Sequence, residues 1–331
     1  MSRSRNIFIS LACIFIFLFI TDISTGPVSL SLSEIWGGLI GKGDAVTIKI
    51  VRDIRLTKAI VAIITGIALS VSGLMMQTLF RNPLAGPYVL GLSSGASLGV
   101  ALFILGMPFL GIASNGVISS LGTAGAAWLG AAAVLFLLSA TARRIKDIMV
   151  ILILGMCFSS GIGAIVEILQ YLSDEQSLKA FVVWTMGSLG DVSKSQLPIV
   201  AGAVSLGLIL AVSAVKSLNL LLMGEGYART MGQNTERSRQ VILASTTLLA
   251  GTVTAFCGPV GFVGVVVPHI ARRCFRTANH NILLPASSLC GAIMVLFCDI
   301  VSKLFALPVN SVTSLLGIPI VIWIVIKHKT I

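Results

Sequence analysis

Apolar runs long enough to cross a hydrocarbon core, about 20 residues for a helix, recur along nearly the whole 331-residue chain. Backbone polar groups in lipid must be satisfied within their own segment, which favours helices. The period-2 alternation of a membrane barrel is absent from the sequence. Ten spans fit best, near residues 7–20, 56–80, 92–110, 117–140, 148–172, 197–215, 241–257, 260–271, 282–299 and 312–326. With 56% hydrophobic and 11% charged residues, too few polar side chains exist to clothe a soluble globule. The expected fold is all-α and polytopic, one transmembrane domain over residues 1–331, with an outer loop at 21–55 after the first span.

Loop charges set the expected orientation. With both termini on one side, that side holds Arg3, Arg5, Arg81, Arg143, Arg144, Lys146, Lys216, Arg229, Arg237, Arg239, Arg272, Arg273, Arg276, Lys327 and Lys329. Those 15 cations face three acids, Asp147, Glu225 and Glu236. The opposite side balances, with 8 cations and 8 acids, and Glu167 lies within a span. The net charge of +11 is thus a cytoplasmic excess of the positive-inside kind, and nucleic-acid binding is not needed to explain it. Both termini are expected in the cytoplasm and the chain in the inner membrane.

Several motifs lack the surroundings their chemistry needs. The six cysteines sit in or beside apolar spans with no C-x-x-C pair and no histidine at ligand spacing, so they read as small hydrophobes rather than a metal site. Arg3 and Arg5 before an apolar run resemble a signal peptide, but no small-x-small cleavage site follows, and the run is kept as the first span. The Gly-rich patch at 37–43 fails the phosphate-loop spacing, with Trp36 where the first glycine is required and Gly43 where a hydroxyl residue should stand. Gly91-Leu92-Ser93-Ser94-Gly95 matches G-x-S-x-G, a motif that needs a strand-to-helix elbow and a nearby base.

Polar and helix-breaking residues then mark places of interest. Arg52, Arg55 and Lys58 gather at the mouth of the second span, a headgroup anchor or a dock for an acidic partner. Asn82-Pro83 reads as a helix N-cap followed by a first helical residue. Glu167 is an acid at depth, either a functional group or a boundary acid about one turn from the surface. Residues 177–191 read as an apolar half-helix at a pore mouth, with Trp184 at interface depth and Gly187 and Gly190 ending it. Span 260–271 is too short for a full crossing. Gly86-Pro87 and Gly258-Pro259 fall after the second and seventh spans, a hint of inverted repeats around a pathway. Residues 299–310 read as the last outer loop, and Pro319 falls within the tenth span.

The longest polar interval on the basic side is 216–240, where a motor protein could dock. Leu218 and Leu220 to Met223 form a short apolar helix, and Gly224 and Gly226 turn the chain into a second one ended by Gly232.

Together these pieces resemble the permease subunits of type II bacterial ABC importers for iron-siderophores, haem and cobalamin. The resemblance rests on Arg52-x-x-Arg55, Gly73-x-x-x-Gln77, the R-N-P-L-A-x-P-x-x-L-G run from Arg81 to Gly91, Trp184-x-x-Gly187-Ser188, Ala228-x-x-x-Gly232 and G-F-V-G-V-V-V-P-H-I-A-R from Gly261 to Arg272. It implies a homodimer of ten-helix subunits with a pathway at the dimer axis, embedded in membrane lipid. It implies two cytoplasmic ATP-binding subunits and an external substrate-binding protein. No cofactor is implied in this chain, since ATP and Mg belong to the partner ATPase. Carried over residue by residue, Arg52 and Arg55 match cations that dock the binding protein. Lys303 falls where the family has arginine, and it keeps the charge but not the bidentate fork. Asn82, Pro83 and Leu84 match a loop that narrows the pathway, with Ile148, Met149 and Trp184 as further pathway candidates. Gly224, Glu225, Tyr227, Ala228, Arg229, Met231 and Gly232 resemble a helix that couples to the ATPase. The family's E-L-P-V-G turn appears here as Ala306-Leu307-Pro308-Val309-Asn310, without the Glu and Gly.

The expected function is uptake of an iron chelate, a siderophore before haem or cobalamin, by a subunit that is not itself an enzyme. Two rivals are an ion-coupled secondary transporter, which should carry paired mid-membrane charges, and an intramembrane hydrolase resting on Ser93.

Overall fold

The computed structural model describes residues 2–106, 120–142 and 148–328. Arg143, Arg144, Lys146, Asp147 and Lys329, and the expected span ends at 107–110 and 117–119, lie outside the described residues. Among the described residues every regular element is helical. The chain runs α1 (Ser2–Ser24), α2 (Leu32–Ile40), α3 (Ala45–Lys49), α4 (Thr57–Leu79), α5 (Leu92–Ile104), α6 (Ser120–Ala142), α7 (Ile148–Leu172) and α8 (Glu175–Thr185). It continues through α9 (Leu197–Ser213), α10 (Val215–Leu221), α11 (Glu225–Thr230), α12 (Thr235–Thr246), α13 (Thr252–Cys257), α14 (Val263–Phe275), α15 (His280–Phe305) and α16 (Val309–His328). Wide π turns at Ile50–Leu56 and Thr247–Gly251 join α3 to α4 and α12 to α13. The first join makes one continuous helix, Ala45–Leu79, of 35 residues.

Each of the ten expected spans has a helix. α1, the helix ending in α4, α7, the α12–α13 helix and α15 are long and apolar enough to cross a bilayer, and α9 with α10 makes a further span bent by 51°. α5, α6 and α16 carry shorter apolar stretches. The 13 residues of α14 reach about 20 Å at about 1.5 Å per residue, well short of a bilayer core of about 30 Å.

α4 is the axis of the bundle, and α15 lies antiparallel against it. Lys58 meets Asp299 at one end, Gly66 faces Gly291 in the middle, and Thr78 meets His280 at the basic end. A Cβ on Gly66 would strike the carbonyl of Gly291, and one on Gly73 the carbonyl of Gly264 in α14. Lipid tails are as apolar as leucine, so helices in a membrane associate through such close backbone approach. Leu69, Leu74, Met75 and Met76 fill the spaces between these contacts and are fully buried.

Three expectations are corrected. Asn82 and Pro83 begin no helix. The Asn82 Oδ1 accepts from the Leu84 N–H at 2.9 Å, closing a turn on itself, and the next helical turn waits until Pro87. Residues 299–310 are not a loop. α15 stays helical through Phe305, and Ala306 at φ 51° ends it, so Asp299 and Lys303 are helical neighbours one turn apart. The stretch 21–55 is largely helical rather than an outer loop. A capping box between Ser31 and Glu34 starts α2, and Asp44 caps α3.

Glu167 is exposed on α7. Ser93 lies in the first turn of α5, entered from a 3-10 turn rather than a strand, so the nucleophile-elbow geometry is missing.

Candidate functional site

The polar stretch between α10 and α12 is a braced bracket. α10 and α11 meet at Gly224, whose φ of 106° suits only glycine comfortably. Gly226, expected at this hinge, lies inside α11 instead. At the far end, the Gly232 N–H donates to the Arg229 carbonyl at 2.9 Å and the Gln233 N–H to the Ala228 carbonyl at 3.0 Å. Those two bonds form the glycine C-cap expected there. Glu225 is drawn inward, 2.8 Å from the Arg239 guanidinium and 3.4 Å from that of Arg229. Arg229 Nε also donates to Thr235 Oγ1. Ala228 is fully buried beneath the bracket, while Met223, Tyr227 and Met231 are 72, 49 and 58% exposed. Of the expected contact residues, Tyr227 and Met231 therefore present apolar surface, and Glu225 and Ala228 hold the shape behind it. Met223 was missed, and it is the most exposed of the three.

The loop after α4 touches this bracket. The Asn82 N–H donates to the Gln77 carbonyl and the Arg81 N–H to that of Thr78, with Arg81 itself left-handed at φ 47°. The Arg81 guanidinium lies beside the hinge, 3.5 Å from where a Cβ on Gly224 would stand. Leu84 and Pro83 are exposed. The Pro83 carbonyl accepts from His269 Nε2 at 2.7 Å. Gln77 donates to the Val265 carbonyl at 2.9 Å and accepts from Arg272, so α14 holds the loop from its other side. Sequence reasoning singled out Asn82 to Leu84 and missed His269, Arg272 and Gln77 as their supports. The signal available was a polar residue or imidazole set in an otherwise apolar run.

Of the remaining pathway candidates, Ile148 begins α7, and its side chain lies outside the described residues. Met149 beside it is exposed. Trp184 belongs to the opposite end, half-buried on α8 and stacked on Phe181. Behind it the Ser188 N–H donates to the Cys257 carbonyl at 2.8 Å, so the turn after α8 sits on the break between α13 and α14. Asn310 closes that break by accepting from the Gly261 N–H at 2.9 Å.

At the end opposite the bracket, the three expected docking cations differ. Arg52 is half-buried and donates to the Leu39 carbonyl at 2.7 and 3.1 Å. Arg55 is buried, and its guanidinium donates to the carbonyls of Ile23, Ser24 and Val28. The Lys303 side chain is buried between Asp22 at 2.9 Å and Asp299 at 2.8 Å, and Lys58 reaches the other Asp299 oxygen at 2.9 Å. This network ties the ends of α1, α4 and α15. Arg55 and Lys303 thus keep their charges inside the fold, whereas an exposed pair, Lys194 with Asp53, stands on the surface beside Arg52.

A ten-segment bundle with a braced surface helix against an interhelical loop defines a transport permease, and comparison with known proteins places it. The chain belongs to the FecCD transport family, whose model matches residues 14–327. It is 34% identical over 328 residues to the hemin transport system permease protein HmuU of Yersinia pestis, covering 96% of this chain and 95% of that one. It is 33% identical over 306 residues to the vitamin B12 import system permease protein BtuC of Vibrio cholerae, covering 90 and 89%. A metal-chelate type ABC transporter solved in an inward-facing conformation superposes with a TM-score of 0.84 at 28% identity, over 98% of this chain and 99% of that one. The type II ABC importer permease fold expected from the sequence is therefore the fold observed.

Proposed function

We propose that this chain is the inner-membrane permease of an ATP-driven importer for an iron chelate, a siderophore before haem or cobalamin. Two copies form the pathway, an external binding protein delivers cargo, and two cytoplasmic subunits bind ATP and Mg. The bracketed α11, with Tyr227 and Met231 outward and its hinge against Arg81, carries this reading. A short helix held at both ends resists being bent by a partner and passes a push to what it touches. Its hinge lies beside Arg81, the residue that leads into the loop Asn82 to Leu84, so nucleotide-driven closure of the ATPases would reach the gate through Arg81. The kinship with a hemin and a vitamin B12 permease supports a large chelate as cargo. The basic bracket end then faces the cytoplasm with both termini. The test is uptake of ferric siderophore, haemin or cyanocobalamin by proteoliposomes containing the permease, partner ATPase and binding protein. Uptake that needs ATP and all three parts is expected, and uptake by the permease alone would overturn the proposal.

A further inference from the structure

We infer that His280 is a positioning residue that keys the coupling segment to the root of the gate loop, through a one-way chain of hydrogen bonds from Thr78 to Asn219. His280 begins α15 and is fully buried, though nothing in transport chemistry asks for an imidazole there. Its Nε2 lies 2.9 Å from Thr78 Oγ1 on α4, and its Nδ1 lies 3.0 Å from Asn219 Oδ1 on α10. The same Asn219 oxygen accepts the His280 backbone N–H at 2.8 Å, and Asn219 Nδ2 donates to Asn279 Oδ1 at 3.2 Å. Asn279 Oδ1 also accepts from the Asn281 N–H, so it is an acceptor, and the Asn219 amide can face only one way.

That orientation sets the ring. Asn219 Oδ1 cannot donate, so Nδ1 carries the proton. In the neutral imidazole Nε2 is then the acceptor, so the single Thr78 hydroxyl proton goes to Nε2 at 2.9 Å rather than to the Leu74 carbonyl at 3.0 Å. The ring is a rigid spacer with a donor on one edge and an acceptor on the other. Neither Asn nor Gln spans both.

Thr78 is also where the gate loop is rooted, since its carbonyl accepts the Arg81 N–H. Asn219 lies on α10, five residues before the Gly224 hinge. With Arg81 against that hinge, the coupling segment grips the gate loop at two points, one on the surface and one buried. Two attachments hold orientation where one would allow a swivel, so a displacement of α10 and α11 must carry Arg81 to Leu84 with it.

This inference rests on the proposal that the bracket couples to an ATPase, and the experiment separates the two. In a parent complex with its ATPase in proteoliposomes, Cys13 and Cys157, the exposed cysteines, are replaced by serine, and Leu84→Cys is labelled by an impermeant maleimide. Labelling is followed with and without trapping by Mg-ATP and vanadate. The parent labelling rate is expected to respond to trapping. His280→Ala, Asn219→Leu and the near-isosteric Thr78→Val are expected to shrink that response about fivefold or more while the complex still hydrolyses ATP. Pairing Thr78→Val with Asn219→Leu should add little to either. His280→Asn and His280→Gln, each reaching one partner, should not restore the response. A full response in Thr78→Val and His280→Ala, or a response and ATP hydrolysis that fall in equal proportion, overturns the role of His280. A parent that does not respond at all overturns the coupling proposal itself, whatever His280 does.

Discussion

The Arg239 guanidinium lies 2.8 Å from the Glu225 carboxylate and pins the first turn of α11 to the side of α12. Both side chains are mostly shielded, and the pair fixes the angle at which Tyr227 and Met231 face outward. Glu225→Gln should loosen α11 by about 1 kcal/mol, roughly a fivefold faster amide exchange over residues 225–231. ATP hydrolysis should persist while uptake per ATP falls. Unchanged exchange in α11 would show that the pair does not brace it.

Arg52 and Arg55 should behave as different residues despite their shared motif. Arg55→Glu leaves the carbonyls of Ile23, Ser24 and Val28 facing an anion and should cost about 3–5 kcal/mol, read as a lowered Tm in detergent. Arg52→Glu should fold and instead slow association of the binding protein, by about 1 kcal/mol at low salt, an effect that fades as ionic strength rises. Equal Tm losses for both would remove the distinction.

Lys303→Ala strands the buried Asp22 carboxylate and leaves the buried Asp299 with Lys58 as its one remaining cation. A loss of about 3–5 kcal/mol is expected, and little folded protein should be recovered. Lys303→Met with Asp22→Asn should recover part of it, because removing charge from both sides of a buried pair is tolerated better than removing one. If the single variant folds normally and merely weakens capture of the binding protein, Lys303 is a docking residue after all.

The N-cap of α8 should be sensitive to acid. Asp174 accepts the Ser177 N–H at 3.0 Å, and that bond holds its carboxyl below the ordinary aspartate value. A carboxyl with a depressed folded pKa contributes stability above the unfolded value of about 3.9, which is lost as pH falls through the folded value. Amide exchange at residues 175–178 should therefore rise as pH is lowered through that window, after correction for intrinsic rates. Asp174→Asn, which still caps but does not titrate, should flatten the profile. An unchanged pH profile in Asp174→Asn would exclude the cap as its source.

The order of the apolar spans was legible because a bilayer enforces the length of each run. The glycine at 232 was legible as a helix stop because a C-cap needs a left-handed residue. Arg81, Phe262 and Ala306 hide the same trick, each left-handed without being glycine, so the ends of α4 and α15 and the start of α14 carried no such mark. Asn82 misled because N-cap and turn use the same side-chain bond, and only the path of the following chain distinguishes them. Lys303 looked like a surface charge because its partner Asp22 lies 281 positions away. Nor could sequence alone separate Arg52 from Arg55. They differ in which carbonyls happen to surround them, a matter of how α1 and α2 fold back on the start of the long helix.

The glycine meetings along α4 divide the molecule mechanically. Where Gly66 rests on Gly291 and Gly73 on Gly264, bare main chain touches bare main chain, and no side chain is present to slip into a new rotamer. Such a junction cannot yield by degrees, so α4, α14 and α15 act as a chassis that turns only as a whole. Flexing falls to the parts bolted on at its rim, the bent α9–α10 span and the largely uncovered α1 and α7.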